Sequence, residues 1–230
     1  MNNKQYSKSS VNTCFICNSS FEPKSSFTYR CTECKFYFSN LKPGFGQDVE
    51  GISYLRKKNF DKIIHEIIKI KSSPKILEIG SGDGFFIDKC LKLNLNIVGS
   101  EASEKNIIKL KKKFKIKILK IILPFIKKKD DEKFDVIVFN DVFEHLTNIN
   151  DVISQIKNKL NKSGIILINF PSSDGFIFKL SEIFMKFGFL QFYNRMWQRN
   201  MSSPHLSYFN KNNIIKIFKK HNFNLKHSGY

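Results

Sequence analysis

From Lys75 to Phe170 the chain alternates short apolar runs with stretches whose apolar residues recur every three or four positions. The runs at 75–79, 95–100, 116–122, 134–140 and 164–170 have the length and content of buried strands. Helices are predicted after the first two and at 149–160. A longer helix is predicted over 53–71, with Phe60, Ile63, Ile64, Ile67 and Ile68 on one face and lysines opposite. Alternation of this kind implies an α/β fold, a doubly wound parallel sheet with helices on both faces, whose ligand site lies beyond the carboxyl ends of the strands. No internal repeat is present.

The segment before this pattern is organised by cysteines. "CFIC" (Cys14, Cys17) and "CTEC" (Cys31, Cys34) are two CxxC knuckles separated by 13 residues, a strong signature of tetrahedral Zn²⁺. A set of four thiolates leaves no open position, so the expected role is structural. Disulfides are the weaker reading, because no secretory signal supports an oxidising compartment. "LKPGFGQDVEGISY" at 41–54 reads as a linker. The expected division is a zinc ribbon over 1–45 and an α/β domain over 46–230, with an aromatic insertion at 172–204. Cys90, alone in a helical pattern, reads as a packed core residue.

Composition narrows the class. With 41% hydrophobic and 26% charged residues the 230-residue chain suits a globular protein, with disorder expected only in the first dozen residues. "MNNKQYSKSS" is polar, and no run of about 18 uncharged apolar residues occurs, which predicts a cytoplasmic protein without a transmembrane segment. The net charge of +19 raises nucleic acid as a partner. The lysines are nevertheless spread through every segment. The one dense run, Lys109 to Lys120, reads as a solvated helix end leading into a strand.

"KILEIGSGDGFF" places Gly80, Gly82 and Gly84 between a strand and a helix. A dinucleotide fingerprint needs GxGxxG, and Phe85 and Phe86 follow here instead. No GxxxxGK[ST] loop occurs. Glu101, ending the second strand, suits ribose hydroxyls. "ILEIGSGDG", "VGSEAS", "FDVIVFNDVFEHL" and "GIILINFP", in that order, resemble the class I S-adenosylmethionine-dependent methyltransferases, particularly those acting on small molecules and glycans. The leading CxxC pair and the tail "MWQRNMSSPHLSYF" resemble the zinc-ribbon members of that group, which often stand among enzymes of surface-polysaccharide biosynthesis. The resemblance implies that Gly80, Gly82 and Gly84 line the cofactor's methionine and ribose portions, with Glu78 beneath the loop and Glu101 on the ribose. Asn140 and Asp141 would flank cofactor and acceptor. Where the family places an adenine-binding Asp, this chain has Lys120, Ile121 and Ile122. The family's last antiparallel strand is expected to be missing after "NFNLKHSGY".

Methyl transfer from a sulfonium needs an acceptor held in line and, for a hydroxyl, a base. His205, His145 and Glu144 are the candidates, against structural roles in turns and caps. His65, His221 and His227 read as surface residues. The insertion at 172–204, rich in phenylalanine, reads as a helical lid on the sheet. Its alternatives are a wall of the acceptor pocket with Trp197 stacking on a ring, or an interfacial helix making peripheral membrane contact. The leading function is therefore methyl transfer to a small molecule or glycan. Two alternatives remain: an RNA methyltransferase that grips phosphates, and a cofactor-binding protein without catalysis.

Overall fold

A computed structural model describes residues 13–44, 53–124 and 132–229. The disorder expected at 1–12 and most of the linker, 45–52, lie outside them. The elements in chain order are β1 (Phe21–Pro23), β2 (Thr28–Cys31), β3 (Tyr37–Ser39), α1 (Ser53–Ile70), β4 (Lys75–Ile79), α2 (Phe85–Lys92), β5 (Asn96–Glu101) and α3 (Glu104–Phe114). There follow β6 (Ile118–Lys120), β7 (Phe134–Asn140), α4 (Ile149–Asn158), β8 (Leu160–Asn169), α5 (Phe176–Lys186), α6 (Leu190–Met196), β9 (Ser207–Tyr208) and α7 (Lys211–Lys220). Contacts divide the chain into two compact units, one of residues 45–143 with 154–170, the other of residues 1–44, 144–153 and 171–230. The ribbon shares its unit with the C-terminal sixty residues.

In the first of these units five strands pair in the order β6-β5-β4-β7-β8, all parallel. Strands β4 and β7 begin and end where the apolar runs do, because both are central and buried. Strand β8 is longer than expected: Phe134 pairs with Leu160 and Val136 with Ile165, so a bulge absorbs residues that the sequence pattern assigns to a loop. Ile64 and Ile67 of α1, Phe86 and Cys90 of α2, and Ile107 and Leu110 of α3 pack against Ile76, Val136 and Val138. Cys90 is fully buried, in keeping with a core role. Ile68, expected on the buried face of α1, is instead exposed in its last turn, where the buried stripe ends at Ile67. Lysines 111–113 occupy the exposed last turn of α3 before the left-handed Lys115 and β6.

Gly99 in the middle of β5 carries no signal in the sequence pattern. A Cβ there would lie 2.7 Å from Ile118 Cδ1, 2.8 Å from Ile87 Cδ1 and 2.9 Å from Ser81 Oγ, so α2 and β6 reach their positions only over a bare backbone.

The other unit contains an antiparallel sheet in the order β1-β2-β3-β9. Its fourth strand comes from the tail, with Tyr37 opposite Tyr208 and Phe38 opposite Ser207. Phe27, Tyr37, Phe178, Tyr193, Trp197 and Tyr208 form one buried cluster. The insertion therefore packs through α5 and α6 on the ribbon's aromatic residues. The reason is geometric: Phe178 lies 4.4 Å from Tyr208 and 5.2 Å from Tyr37 between ring centroids, contacts that need both the hairpin and the tail. Among the described residues no helix is long and apolar enough to cross a membrane.

Candidate functional site

The loop between β4 and α2 turns on three glycines with left-handed φ, +71° at Gly80, +53° at Gly82 and +77° at Gly84. Each favours glycine through its backbone, and two demand it through packing as well. A Cβ on Gly80 would meet Val142 at 2.7 Å, and one on Gly84 would meet Phe114 at 2.3 Å and Leu110 at 2.9 Å. Gly84 is thus the point where α2 starts and α3 closes over it.

Glu101, at the end of β5, accepts a hydrogen bond from Gly82 N–H at 2.5 Å through Oε1 and one from Ala102 N–H at 3.2 Å through Oε2. The sequence spacing had linked Glu101 to the loop only by resemblance. Sequence reading missed the serine that completes the arrangement. Ser81 N–H donates to Ser100 O at 2.8 Å, and Ser100 N–H returns a bond to Ser81 Oγ at 3.2 Å, while Ser100 Oγ donates to Glu78 O. The signal was present as a serine in each of "GSGDG" and "VGSEAS".

Glu78 and Asn140 meet at the adjacent ends of β4 and β7, Asn140 Nδ2 donating to Glu78 Oε1 at 3.1 Å. Burial pushes the Glu78 carboxyl up to about 8, with the Asn140 bond acting the other way. Glu78 Oε2 and Asn140 Oδ1 are buried and have no hydrogen-bond partner among the described residues. Two orphaned acceptors side by side suit a ligand that brings N–H donors and positive charge. Asp141 follows with a left-handed φ of +53°. Burial raises its carboxyl, and the Arg56 guanidinium opposes that shift from 3.2 Å, an ion pair by distance although Arg56 Nε–H lacks hydrogen-bond geometry. Arg56 was another residue not singled out. Its signal was composition, since only four arginines occur among 39 basic residues. Strand β6 ends at Lys120, whose Nζ bonds Glu104, so no carboxylate stands at the place of the family's adenine-binding Asp.

In the ribbon-containing unit the four cysteine Sγ atoms lie within 4.8 Å of one another. Cys14 and Cys34 are 3.6 Å apart and Cys17 and Cys31 3.3 Å. Those separations far exceed a disulfide bond and are near the edge of about 3.8 Å that a ZnS₄ tetrahedron has for Zn–S of about 2.3 Å. Each knuckle is followed by a left-handed residue, Asn18 and Lys35. The tail holds the second knuckle, with Asn213 Nδ2 and Asn210 Nδ2 donating to Cys34 O at 2.7 and 3.2 Å. The same two asparagines form the capping box of α7.

The three candidate bases also meet within this unit. Potential ligand or proton-accepting atoms of Glu144, His145 and His205 lie within 4.8 Å of one another, with His205 Nε2 4.0 Å from Glu144 Oε1. Tyr208 OH donates to Met196 O at 2.7 Å and must therefore accept from His205 Nδ1, 2.9 Å away. This places the proton of neutral His205 on Nδ1 and the lone pair on Nε2. His145 Nδ1 faces Pro204 O at 2.9 Å, which fixes the same tautomer. Glu144 O accepts from Leu206 N–H, tying the two segments together. Trp197, for which stacking on an acceptor ring is the alternative reading, is fully buried among Phe27, Phe178, Tyr193 and Tyr208 and offers no face to a ligand. His65 and His227 are exposed, as expected, while His221 is partly covered and bonds Asn150.

Comparison with known proteins agrees with the fold. Residues 52–228 match the family model described as a methyltransferase domain. A curated relative, the ubiquinone biosynthesis O-methyltransferase of Pelagibacter ubique, is 38% identical over 110 residues, which are 44% of this chain and 45% of that protein. The chain thus aligns with less than half of that relative's length. Among solved structures, magnesium protoporphyrin IX methyltransferase from Synechocystis, with bound S-adenosylmethionine, has a TM-score of 0.54 at 15% identity, covering 81% of this chain and 79% of that one. An S-adenosylmethionine-dependent methyltransferase from Archaeoglobus fulgidus has a TM-score of 0.52 at 18% identity, covering 72% and 67%. The sheet order with a glycine loop after its central strand defines a class I S-adenosylmethionine-dependent methyltransferase fold. The chain belongs to the methyltransferase-domain family.

The raised carboxyl of Glu78 gives stability a definite pH dependence. A carboxyl whose pKa is higher folded than unfolded costs stability as pH rises from the unfolded value, about 4.3, to the folded one, about 8. Glu78→Gln keeps the acceptor for Asn140 and removes the titration. The variant should match wild type near pH 4 and become progressively more stable than it up to pH 8, by a few kcal/mol, as about 1.4 kcal/mol per pH unit implies. Urea denaturation across that range checks this; a constant difference would place the Glu78 pKa at its ordinary value.

Proposed function

We propose that the chain transfers a methyl group from S-adenosylmethionine to a hydroxyl of a small molecule. The observation that carries the reading is Glu101, aligned at the end of β5 by the Gly82 N–H of a loop built from left-handed glycines. Bound there, S-adenosylmethionine would supply an electrophilic methyl on a sulfonium leaving group. Glu101 would exchange its backbone bonds for ribose hydroxyls. Glu78 Oε2 and Asn140 Oδ1, both buried acceptors, would take the donors of the amino-acid end, whose positive charge favours ionised Glu78. Gly80 and Gly82 leave the backbone bare where the ligand passes, and Asp141 would sit between cofactor and acceptor.

His205 is the proposed base. Its Nδ1–H is committed to Tyr208, so Nε2 can receive the hydroxyl proton as the carbon–oxygen bond forms and the carbon–sulfur bond breaks. Glu144 beside Nε2 would stabilise the resulting imidazolium, and His145 completes the group. The oxygen acceptor is supported by the relative's name, an O-methyltransferase. The narrower reading, a sugar of surface-polysaccharide biosynthesis, is supported by the ribbon and the Pro204-His205-x-x-Tyr208-Phe209 tail. Cys14, Cys17, Cys31 and Cys34 would hold one structural Zn²⁺, whose binding energy becomes folding energy of the ribbon.

Three measurements bear on this. In calorimetry with S-adenosylmethionine, Glu101→Ala should weaken binding by about 1–3 kcal/mol and Gly82→Val should abolish it; unchanged affinity in both removes the reading. With a hydroxyl acceptor, His205→Ala should keep cofactor affinity while S-adenosylhomocysteine release falls by roughly 10² to 10⁴, whereas near-normal turnover assigns His205 to structure. Metal analysis should find about one equivalent of zinc, lost in Cys31→Ser. Protein purified without zinc would refute the ribbon assignment.

A further inference from the structure

Helix α5 is apolar on two opposite faces, and only one of them is covered. Phe178 is part of the aromatic cluster, Met185 packs against it and Ser181 is buried on the same helix face, while Glu182 accepts from Tyr37 OH. On the other face Phe176, Ile177, Ile183, Phe184 and Phe187 are exposed, at positions i, i+1, i+7, i+8 and i+11 that form one helical stripe. The stripe continues across Gly188 into Phe189 and Leu190. Phe176 is 77% exposed, Phe187 75% and Phe189 66%. A cleft of about 640 Å³ lined by Leu180, Phe184, Phe189, Leu190 and Phe192 opens beside it. A helix apolar all round is normally buried on all sides, and a contiguous patch of seven large apolar side chains is more than solvent-facing surface ordinarily carries.

Charge decides what covers it. Lys179 and Lys186, seven residues apart and both exposed, run along one flank of the stripe, and Arg195 and Arg199 are exposed at and beyond the end of α6. The one acidic residue of α5, Glu182, lies on the covered face, bonded to Tyr37. Apolar residues flanked by cations that can extend their charged ends while burying their stems are the pattern of a helix lying in a lipid interface, and the chain's net charge of +19 reinforces it. We propose that the outer face of α5 and the start of α6 dock on an anionic lipid bilayer surface. The phenylalanines enter the headgroup boundary, the cleft receives hydrocarbon, and the lysines meet lipid phosphates. This proposal is independent of the methyl acceptor.

Vesicle flotation of the full chain tests it. The protein should float with vesicles of equimolar phosphatidylcholine and phosphatidylglycerol, and much less with phosphatidylcholine alone. Phe187→Glu with Phe189→Glu should abolish flotation while the melting temperature stays near that of wild type, because both side chains are exposed. Lys179→Glu with Lys186→Glu, which leaves the apolar face intact, should weaken binding by about fivefold or more for each lysine. Absence of flotation with anionic vesicles would overturn the proposal. So would unchanged flotation of both double variants, or a wild-type dimer in light scattering that Phe187→Glu with Phe189→Glu dissociates, since a second copy would then be the occupant.

Discussion

Parallel pairing in register is the constraint on which the cofactor-type site depends. Ile76 stands opposite both Ile97 and Val136, so β4, β5 and β7 finish side by side, and the residues after them converge without any side chain having to reach far. Glu78, Glu101 and Asn140 are neighbours for that reason. Gly99 is part of the same constraint, because a side chain there would push α2 and β6 away from the loop they frame.

The ribbon-containing unit solves a different problem. A hairpin of some thirty residues cannot bury enough apolar surface alone, and metal or further chain must complete it. Here four cysteine sulfurs cluster at one end, and the tail supplies a fourth strand, helix α7 and the inner faces of α5 and α6. The capping asparagines of α7 illustrate the economy of the arrangement, since Asn210 and Asn213 satisfy their own helix terminus and the Cys34 carbonyl together.

Both candidate sites concentrate polar groups where burial makes them unfavourable. Glu78 is held near pKa 8, Asp141 combines a raised carboxyl with a left-handed backbone, and Glu144 is buried against two histidines. Strain and shifted pKa values of this kind are tolerated where binding of a ligand or movement of a proton repays them. Among the other buried polar side chains most are serine, threonine or asparagine, and no other carboxylate is buried among the described residues.

Local chemistry was legible in the sequence wherever a residue's requirement is set by its near neighbours. Strands β4 and β7 follow from apolar runs, the glycine loop from its left-handed turns, and the metal-type cluster from CxxC spacing, because each depends on backbone geometry over a few residues. Tertiary structure alone decided which distant segments share a core. No pattern marks Ser207 and Tyr208 as the edge of the ribbon sheet, Trp197 as a partner of Phe27, or Arg56 as the partner of Asp141, since those contacts join residues some 85 to 170 positions apart. It also decided that one apolar face of α5 is buried and the other is not: periodicity shows two hydrophobic faces equally well, and only the packing of Phe178 against Tyr37 and Tyr208 distinguishes them.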